Sequence, residues 1–229
     1  MYEFEDLKTN NNSDFMNDKR FIKAYQRGLK ANHLHEHNIY WRVHIALWAA
    51  ETASKLEGDF VECGTSFGFT SSAIMEYLNW DSLDKIFYLY DNFQGVVEEF
   101  AIDTTSDMVK SHNEKQFLYN TFTTDVDSVK ENFSEWKNVK IIIGNIPETL
   151  SQEKIDKVAF LHIDLNSPLP EMLTFFYFWE KIVKGGIILF DDYAYYGYEN
   201  QKKFADFCSM TVNRPIVSLP TGQGMMIKN

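Results

Sequence analysis

Three carboxylates carry the chemistry that can be read from this sequence. Asp164 follows the apolar run Val158-Ala159-Phe160-Leu161-His162-Ile163, and Asp191 and Asp192 follow Ile187-Ile188-Leu189-Phe190. Each run has the length and composition of a buried parallel strand. In an open α/β sheet the carboxyl ends of such strands share one edge, where ligands bind. Acids from separate segments gathered at one edge repel one another unless they are compensated. A divalent cation with all-oxygen ligands, Mg2+ in the first place, would resolve the crowding. The plainer alternative has Asp191 capping a helix or pairing with a lysine such as Lys184, with Asp192 solvated.

A second constellation lies upstream, between Gly58 and Ile74. Asp59-Phe60-Val61 reads as a strand that ends in Glu62. Gly64 and Gly68 make a tight turn, and Thr70-Ser71-Ser72-Ala73-Ile74 opens a helix. Strand, glycine turn and helix form the first unit of a nucleotide-binding α/β fold. The glycines let backbone N–H groups approach a ligand, and the helix start favours a negative group. The hydride-cofactor fingerprint G-x-G-x-x-G is absent. The pattern is E-x-G-x-x-x-G, which resembles the first motif of class I S-adenosylmethionine-dependent methyltransferases. Taken alone, the stretch also reads as a strand–turn–helix junction with no ligand. A further acid, Asp91, closes the run Ile86-Phe87-Tyr88-Leu89-Tyr90, about 29 residues after Glu62. That is where a second strand offers a carboxylate to ribose hydroxyls. Asn145, after Val139-Lys140-Ile141-Ile142-Ile143, stands where this fold class contacts adenine. The expected cofactor set is Glu62, Gly64, Thr65, Ser66, Gly68, Asp91, Asn92 and Asn145.

The elements that must position these groups follow from periodicity. Residues 1–14 read as a flexible start, then helices over 14–31 and 39–56 precede the first strand. Residues 96–113 have mixed charge and little periodicity, which suits either a lid or a plain surface excursion. A helix is expected over 124–136. A very aromatic one over 170–183 is read as core or as an oligomer face, with Gly185-Gly186 ending it. Another follows over 199–208. Ile216-Val217-Ser218-Leu219 and Met225-Met226-Ile227, joined through Pro220-Thr221-Gly222-Gln223-Gly224, read as a closing hairpin. The division expected is an N-terminal helical cap, residues 1–57, on a single compact unit, residues 58–229. His33 and His37 would share a helix face and could ligate metal, but no third ligand accompanies them, and a solvated or hydrogen-bonded cluster is the stronger reading.

The 229 residues suit one α/β domain, with 45% apolar residues and a net charge of −11. That charge argues against nucleic acid or an anionic membrane as the main partner. It suits a cation-binding chain as well as it suits simple solubility. Cys63 and Cys208 make neither a disulfide framework nor a metal cluster, and Cys63 reads as a small packed turn residue. The acidic, polar N-terminus is no signal peptide, and no apolar run reaches membrane-span length. A cytoplasmic setting follows as the expectation.

The ordered set Glu62-x-Gly64, LYDNFQG at 89–95, HIDLN at 162–166 and GGIILFDDY at 185–193 resembles the macrocin O-methyltransferase family over residues 40–207. These are metal-dependent sugar O-methyltransferases. The resemblance implies a Rossmann-like class I methyltransferase fold, with a mostly parallel seven-stranded sheet and a C-terminal antiparallel hairpin. It implies S-adenosyl-L-methionine as cofactor and Mg2+ on Asp164, Asp191 and Asp192. The family's Asp-Gly-Asp-Leu-Tyr is His-Ile-Asp-Leu-Asn here. Its general-base aspartate therefore falls on His162, and its tyrosine falls on Asn166. A histidine can serve as a base near neutral pH. The implied function is Mg-dependent methylation of a hydroxyl on a sugar or glycosylated small molecule, with a homodimer permitted by the aromatic helix. The alternatives are a catechol-type or other small-molecule O-methyltransferase, and a non-catalytic S-adenosylmethionine-binding protein.

Overall fold

The computed structural model describes residues 1–4, 7–102 and 104–229. Glu5, Asp6 and Asp103, which fall in the expected flexible start and in the 96–113 segment, lie outside the described residues. The chain opens with a small antiparallel pair, β1 (Tyr2–Phe4) and β2 (Leu7–Thr9), where a flexible start was expected. Tyr2 is anchored edge-on to Trp41, with ring centroids 6.4 Å apart. Helix α1 (Lys19–Ala31) begins where the Asp18 carboxylate accepts from the backbone N–H groups of Arg20 and Phe21. Helix α2 (Tyr40–Ala53) follows, then β3 (Asp59–Cys63), α3 (Phe69–Leu78) and β4 (Phe87–Asp91).

Helix α4 (Ser106–Leu118) occupies much of the segment whose sequence lacks periodicity. Val109 is the one buried residue of that helix, so no apolar stripe marks it. Helix α5 (Val126–Phe133) and strands β5 (Val139–Ile143) and β6 (Val158–Ile163) come next, then α6 (Pro168–Trp179). Strand β7 (Ile182–Phe190) starts earlier than its sequence suggests and includes Gly185 and Gly186. These glycines do not end the helix; it has already stopped by Glu180, and β-branched Ile182 pairs with Val158 of β6. The chain closes with α7 (Glu199–Val212), β8 (Val217–Ser218) and β9 (Gly224–Ile227).

The main sheet has seven strands in the order β5-β4-β3-β6-β7-β9-β8. β5, β4, β3, β6 and β7 are parallel, and β9 and β8 add antiparallel. The strand order reverses at β3 and β6, which places the ligand crevice beyond their carboxyl ends. Register then decides which residues meet. Glu62 lies beside His162, and His162 lies beside Leu189.

Alternation along the strands divides the core into two layers. Phe60 and Phe160 pack with α1, α2, α3 and α5, while Val61, Leu161, Phe175 and Cys208 pack on the α6–α7 face. Within the aromatic helix, Phe175 and Phe178 are buried core, and Phe176 remains at the surface against Phe207. Cys63 and Cys208 are buried free thiols. No helix among the described residues is long and apolar enough to cross a membrane.

Candidate active site

The crevice holds two cavities that meet over the β3–β6 junction. One, of about 70 Å³, is walled by Asp91, Asn92, Val96, Phe100, Asn145 and Pro170. The other, of about 250 Å³, is walled by Arg42, Glu62, Thr65, Asp191, Asp192 and Tyr198. Gly64, Ser66, Asp91, Phe122, Asp164 and Asn166 face both.

Backbone turns build the first cavity. Gly64 has φ +93°, and a Cβ there would stand 1.6 Å from the carbonyl oxygen of Asp164, so only glycine lets β3 and β6 close at this point. Gly68, at φ +88°, meets the Phe133 ring in the same way. The Asp91 carboxylate accepts from the backbone N–H of Ser66 at 2.7 Å and of Phe93 at 2.6 Å. Burial raises its pKa despite those bonds. A carboxylate has about four acceptor positions, so a ribose hydroxyl can still be received there. Asn92 donates to Asn145 Oδ1 at 3.0 Å and to the carbonyl of Gly95 at 3.0 Å, tying the loop after β4 to that after β5.

Among the described residues, the buried polar atoms on the second cavity that lack a partner include Glu62 Oε2, Thr65 Oγ1 and Asn32 Oδ1; the first two flank the Gly64 turn. Buried polar groups are rarely left unpaired. A ligand with an ammonium and hydroxyl-accepting groups, as in the amino-acid portion of S-adenosylmethionine, fits them. Seven of the eight residues expected to hold the cofactor line the crevice; Gly68 lines neither cavity, and a Cβ there would stand 2.3 Å from the Phe133 ring.

The acidic constellation is held by ion pairs. His162 is buried, with Nδ1 3.0 Å from Glu62 Oε1 and Nε2 3.4 Å from Asp191 Oδ1. Burial would lower its pKa, but the hydrogen bonds and charges of Asp191 and Glu62 outweigh that and push it up to about 10. A carboxylate at each nitrogen favours the doubly protonated ring, which donates twice and offers no lone pair to receive a proton.

Asp191 also takes a 3.0 Å bond from Gln223 Nε2 and an ion pair with Arg42. Burial opposes its ionisation, yet Arg42 and His162 hold its pKa well below the usual carboxylate range. Asp192 lies 3.6 Å from Arg42, and burial together with Asp191 raises its pKa to about 6. Asp164 differs. Its side chain faces both cavities and accepts a 3.1 Å bond from Asn166 Nδ2. Burial first, then Asp191 and Asp192, raise its pKa well above the usual range.

Asp164, Asp191 and Asp192 thus converge as expected from their strand ends, and ligand atoms of His162, Asp164 and Asp191 lie within 4.8 Å of one another. The donor chemistry suits a hard cation, but the arrangement does not fit one. Arg42 already holds Asp191 and Asp192, and His162 and Gln223 take the remaining oxygen of Asp191. His33 and His37 do not form a metal pair; His33 bonds Ser128 Oγ at 3.2 Å, and His37 stands 5.7 Å from the Phe69 ring.

Sequence reading missed Arg42, Gln223, Tyr195 and Tyr198 as site residues. Arg42 lies 149 residues from Asp191, on a helix whose pattern marks only its buried face. No local motif could have singled it out.

A family model described as Macrocin-O-methyltransferase (TylF) matches residues 45–218. No curated protein matches the sequence. Among solved structures, the O-methyltransferase NovP superposes with a TM-score of 0.70 at 18% identity, covering 86% of this chain and 83% of that one. The calicheamicin methyltransferase CalS11 gives 0.62 at 13% identity, covering 96% and 99%. The S-adenosylhomocysteine-bound methyltransferase PaMTH1 of Podospora anserina gives 0.57 at 11% identity, covering 97% and 99%. At these identities the structures establish a shared fold.

Proposed function

The chain belongs to the macrocin-O-methyltransferase family, and from that premise we propose that it methylates a hydroxyl of a sugar or glycosylated small molecule. S-adenosylmethionine, when bound, supplies an electrophilic methyl group on a sulfonium. The observation that carries the proposal is the junction of the two cavities at Asp164, beside the unpartnered Glu62 Oε2 and Thr65 Oγ1.

The chain's own groups divide the work. Asp91, Asn92 and Asn145 hold the nucleoside, Glu62 and Thr65 the amino-acid portion, and the turn at Gly64 brings both against β6. Asp164 receives the proton in place of His162, because His162 is sealed between two carboxylates and does not face the cavity. A carboxylate with a raised pKa is a better proton acceptor near neutral pH. Asp164 would take the proton of the acceptor hydroxyl, and that oxygen would accept the methyl group that bound S-adenosylmethionine supplies, the C–S electron pair staying on sulfur. Alignment of these groups supplies most of the rate.

The acceptor wall supports a sugar. Asn32, Gln116, Thr121, Asn166, Tyr195 and Tyr198 line it with donors and acceptors, which matches a polyhydroxylated ring better than a flat phenol. One fold neighbour, CalS11, is a TDP-rhamnose 3'-O-methyltransferase. Residues 1–57 contribute Asn32, His37, Ile39 and Arg42 to this wall, so we assign acceptor selection to that segment and cofactor binding to residues 58–229. Mg2+ on Asp164, Asp191 and Asp192, the finer expectation from the resemblance, would require the ion to displace Arg42, and no step of the transfer is routed through it. A homodimer would use exposed Phe176 and Phe207, which sedimentation velocity would read.

Calorimetric titration with S-adenosylhomocysteine tests the reading first, followed by transfer of labelled methyl to nucleotide sugars, glycosides and catechols. Micromolar binding with transfer to sugar hydroxyls is the expected outcome. Absence of binding would remove the proposal, and transfer confined to catechols would remove the sugar.

A further inference from the structure

The acidic edge of this site already contains its counter-charge. Arg42 projects from the first turn of α2 into the space between the ends of β7 and the loop before β9. Its Nη1 ion-pairs with Asp191, lies 3.6 Å from Asp192 Oδ1, and donates to the backbone oxygen of Asp191 at 3.2 Å. Its Nη2 donates to the backbone oxygen of Thr221 at 3.4 Å, and the guanidinium sits 5.0 Å from the centroid of the Tyr195 ring. The side chains of Arg42, Asp191 and Asp192 are only 11%, 12% and 9% exposed. Three separate segments therefore build this pocket around a planar cation, with side-chain, backbone and aromatic partners each in place.

A second ring stands on the same aspartate: His162, fixed between Glu62 and Asp191. Asp191 is thereby bonded on both oxygens, by Arg42 on one and by His162 and Gln223 on the other. A small divalent ion needs a lone pair from each ligand at about 2.0–2.1 Å; both oxygens of Asp191 already have partners, and the guanidinium stands 3.6 Å from Asp192 Oδ1, in the space between the two aspartates.

We propose that Arg42 is the resident cation of this site, holding Asp191 and Asp192 where a divalent ion would otherwise bind, so that methyl transfer by this chain is independent of divalent metal. The inference rests on the methyltransferase reading of the same crevice. Arg42 acts as a positioning residue: it neutralises the paired aspartates and stands in the wall of the acceptor cavity. Oxygen developing negative charge there then faces a fixed positive group instead of two uncompensated carboxylates.

Mn2+ titration of the whole protein, followed by electron paramagnetic resonance and calorimetry, tests this without reference to activity. The wild type is expected to show no site tighter than the millimolar range. Arg42→Met is expected to gain a Mn2+ site at least ~10-fold tighter, and Arg42→Lys, which keeps the charge, is expected to stay like the wild type. Methyl transfer by the wild type is expected to be unchanged by a chelator.

Stoichiometric micromolar Mn2+ binding by the wild type would overturn the inference, as would chelator inhibition reversed by Mg2+. Failure of Arg42→Met to gain a site would also overturn it, since the guanidinium would then not be what keeps the ion out. If Arg42→Met does not fold, Arg42→Gln serves the same comparison. The S-adenosylhomocysteine titration stands apart: its failure would strike the methyltransferase reading, while the Mn2+ result would still decide what Arg42 does.

Discussion

The two halves of the crevice are built by different means. The half assigned to the nucleoside is made of turns that directly follow β3, β4 and β5, and its contacts join those turns to one another and to their own backbone: Asp91 to Ser66 and Phe93, Asn92 to Asn145 and Gly95. The acceptor half is made of side chains brought from distant segments, with Arg42 meeting Asp191 across 149 residues and Gln223 meeting it across 32. Damage to the first half is expected to cost folding and cofactor affinity together. Damage to the second is expected to cost turnover with cofactor affinity retained.

The sharpest division is at Asp164. Asp164→Asn is expected to lower kcat by about 10²–10⁴-fold, the usual worth of a positioned proton acceptor, while S-adenosylhomocysteine affinity by calorimetry stays within a few-fold. In the wild type, kcat/KM is expected to fall as pH drops through the raised Asp164 pKa, because the base must be ionised. That acid limb should be missing from the residual activity of the variant. Equal losses of affinity and turnover would erase the distinction between the halves.

Gly64→Ala attacks the other half. With φ at +93° and a Cβ only 1.6 Å from Asp164 O, the strands must part. The expected destabilisation is about 2–4 kcal/mol, seen as a melting temperature lowered by roughly 5–15 °C, with loss of cofactor binding.

Stability against pH probes the join between them. The folded pKa of His162, about 10, stands above its ordinary 6.5. Its contribution to stability is therefore complete below about 6.5 and is lost as pH rises through 10. Thermal melts of the wild type should weaken over that alkaline window, and His162→Asn should flatten the decline. An equal decline in both would place the titration elsewhere.

The smallest effect belongs to Asn92→Ala, which removes the bridge between two loops on the nucleoside side. The expected loss is about 1 kcal/mol of cofactor binding, near fivefold in Kd, with kcat unchanged.

Local pattern made the nucleoside half legible. Strand, acid, glycine turn and helix occupy contiguous residues, and backbone sterics alone force Gly64 into that turn. The strand ends carrying Asp91, Asp164 and Asp191 could be placed because buried parallel strands read as unbroken apolar runs. Helix α4 was not legible, since its single buried residue, Val109, leaves no stripe. The β1–β2 pair was not legible either, because its short strands rely on packing such as Tyr2 against Trp41. His162 shows the limit at the site itself. Its residue type suggested a base, but its register beside Glu62 and its approach to Asp191 place a carboxylate at each ring nitrogen, away from both cavities.

Sequence by itself determined the family, the order of the seven strands of the main sheet and which acids reach the crevice, because strand ends and glycine turns are set by periodicity and backbone freedom over a few residues. Only the tertiary structure decided what those acids do there. The protonation and availability of Asp164, Asp191 and His162 depend on burial and on charges a few ångströms away, and the nearest of those charges, Arg42, comes from a helix with no local connection to the strands it neutralises.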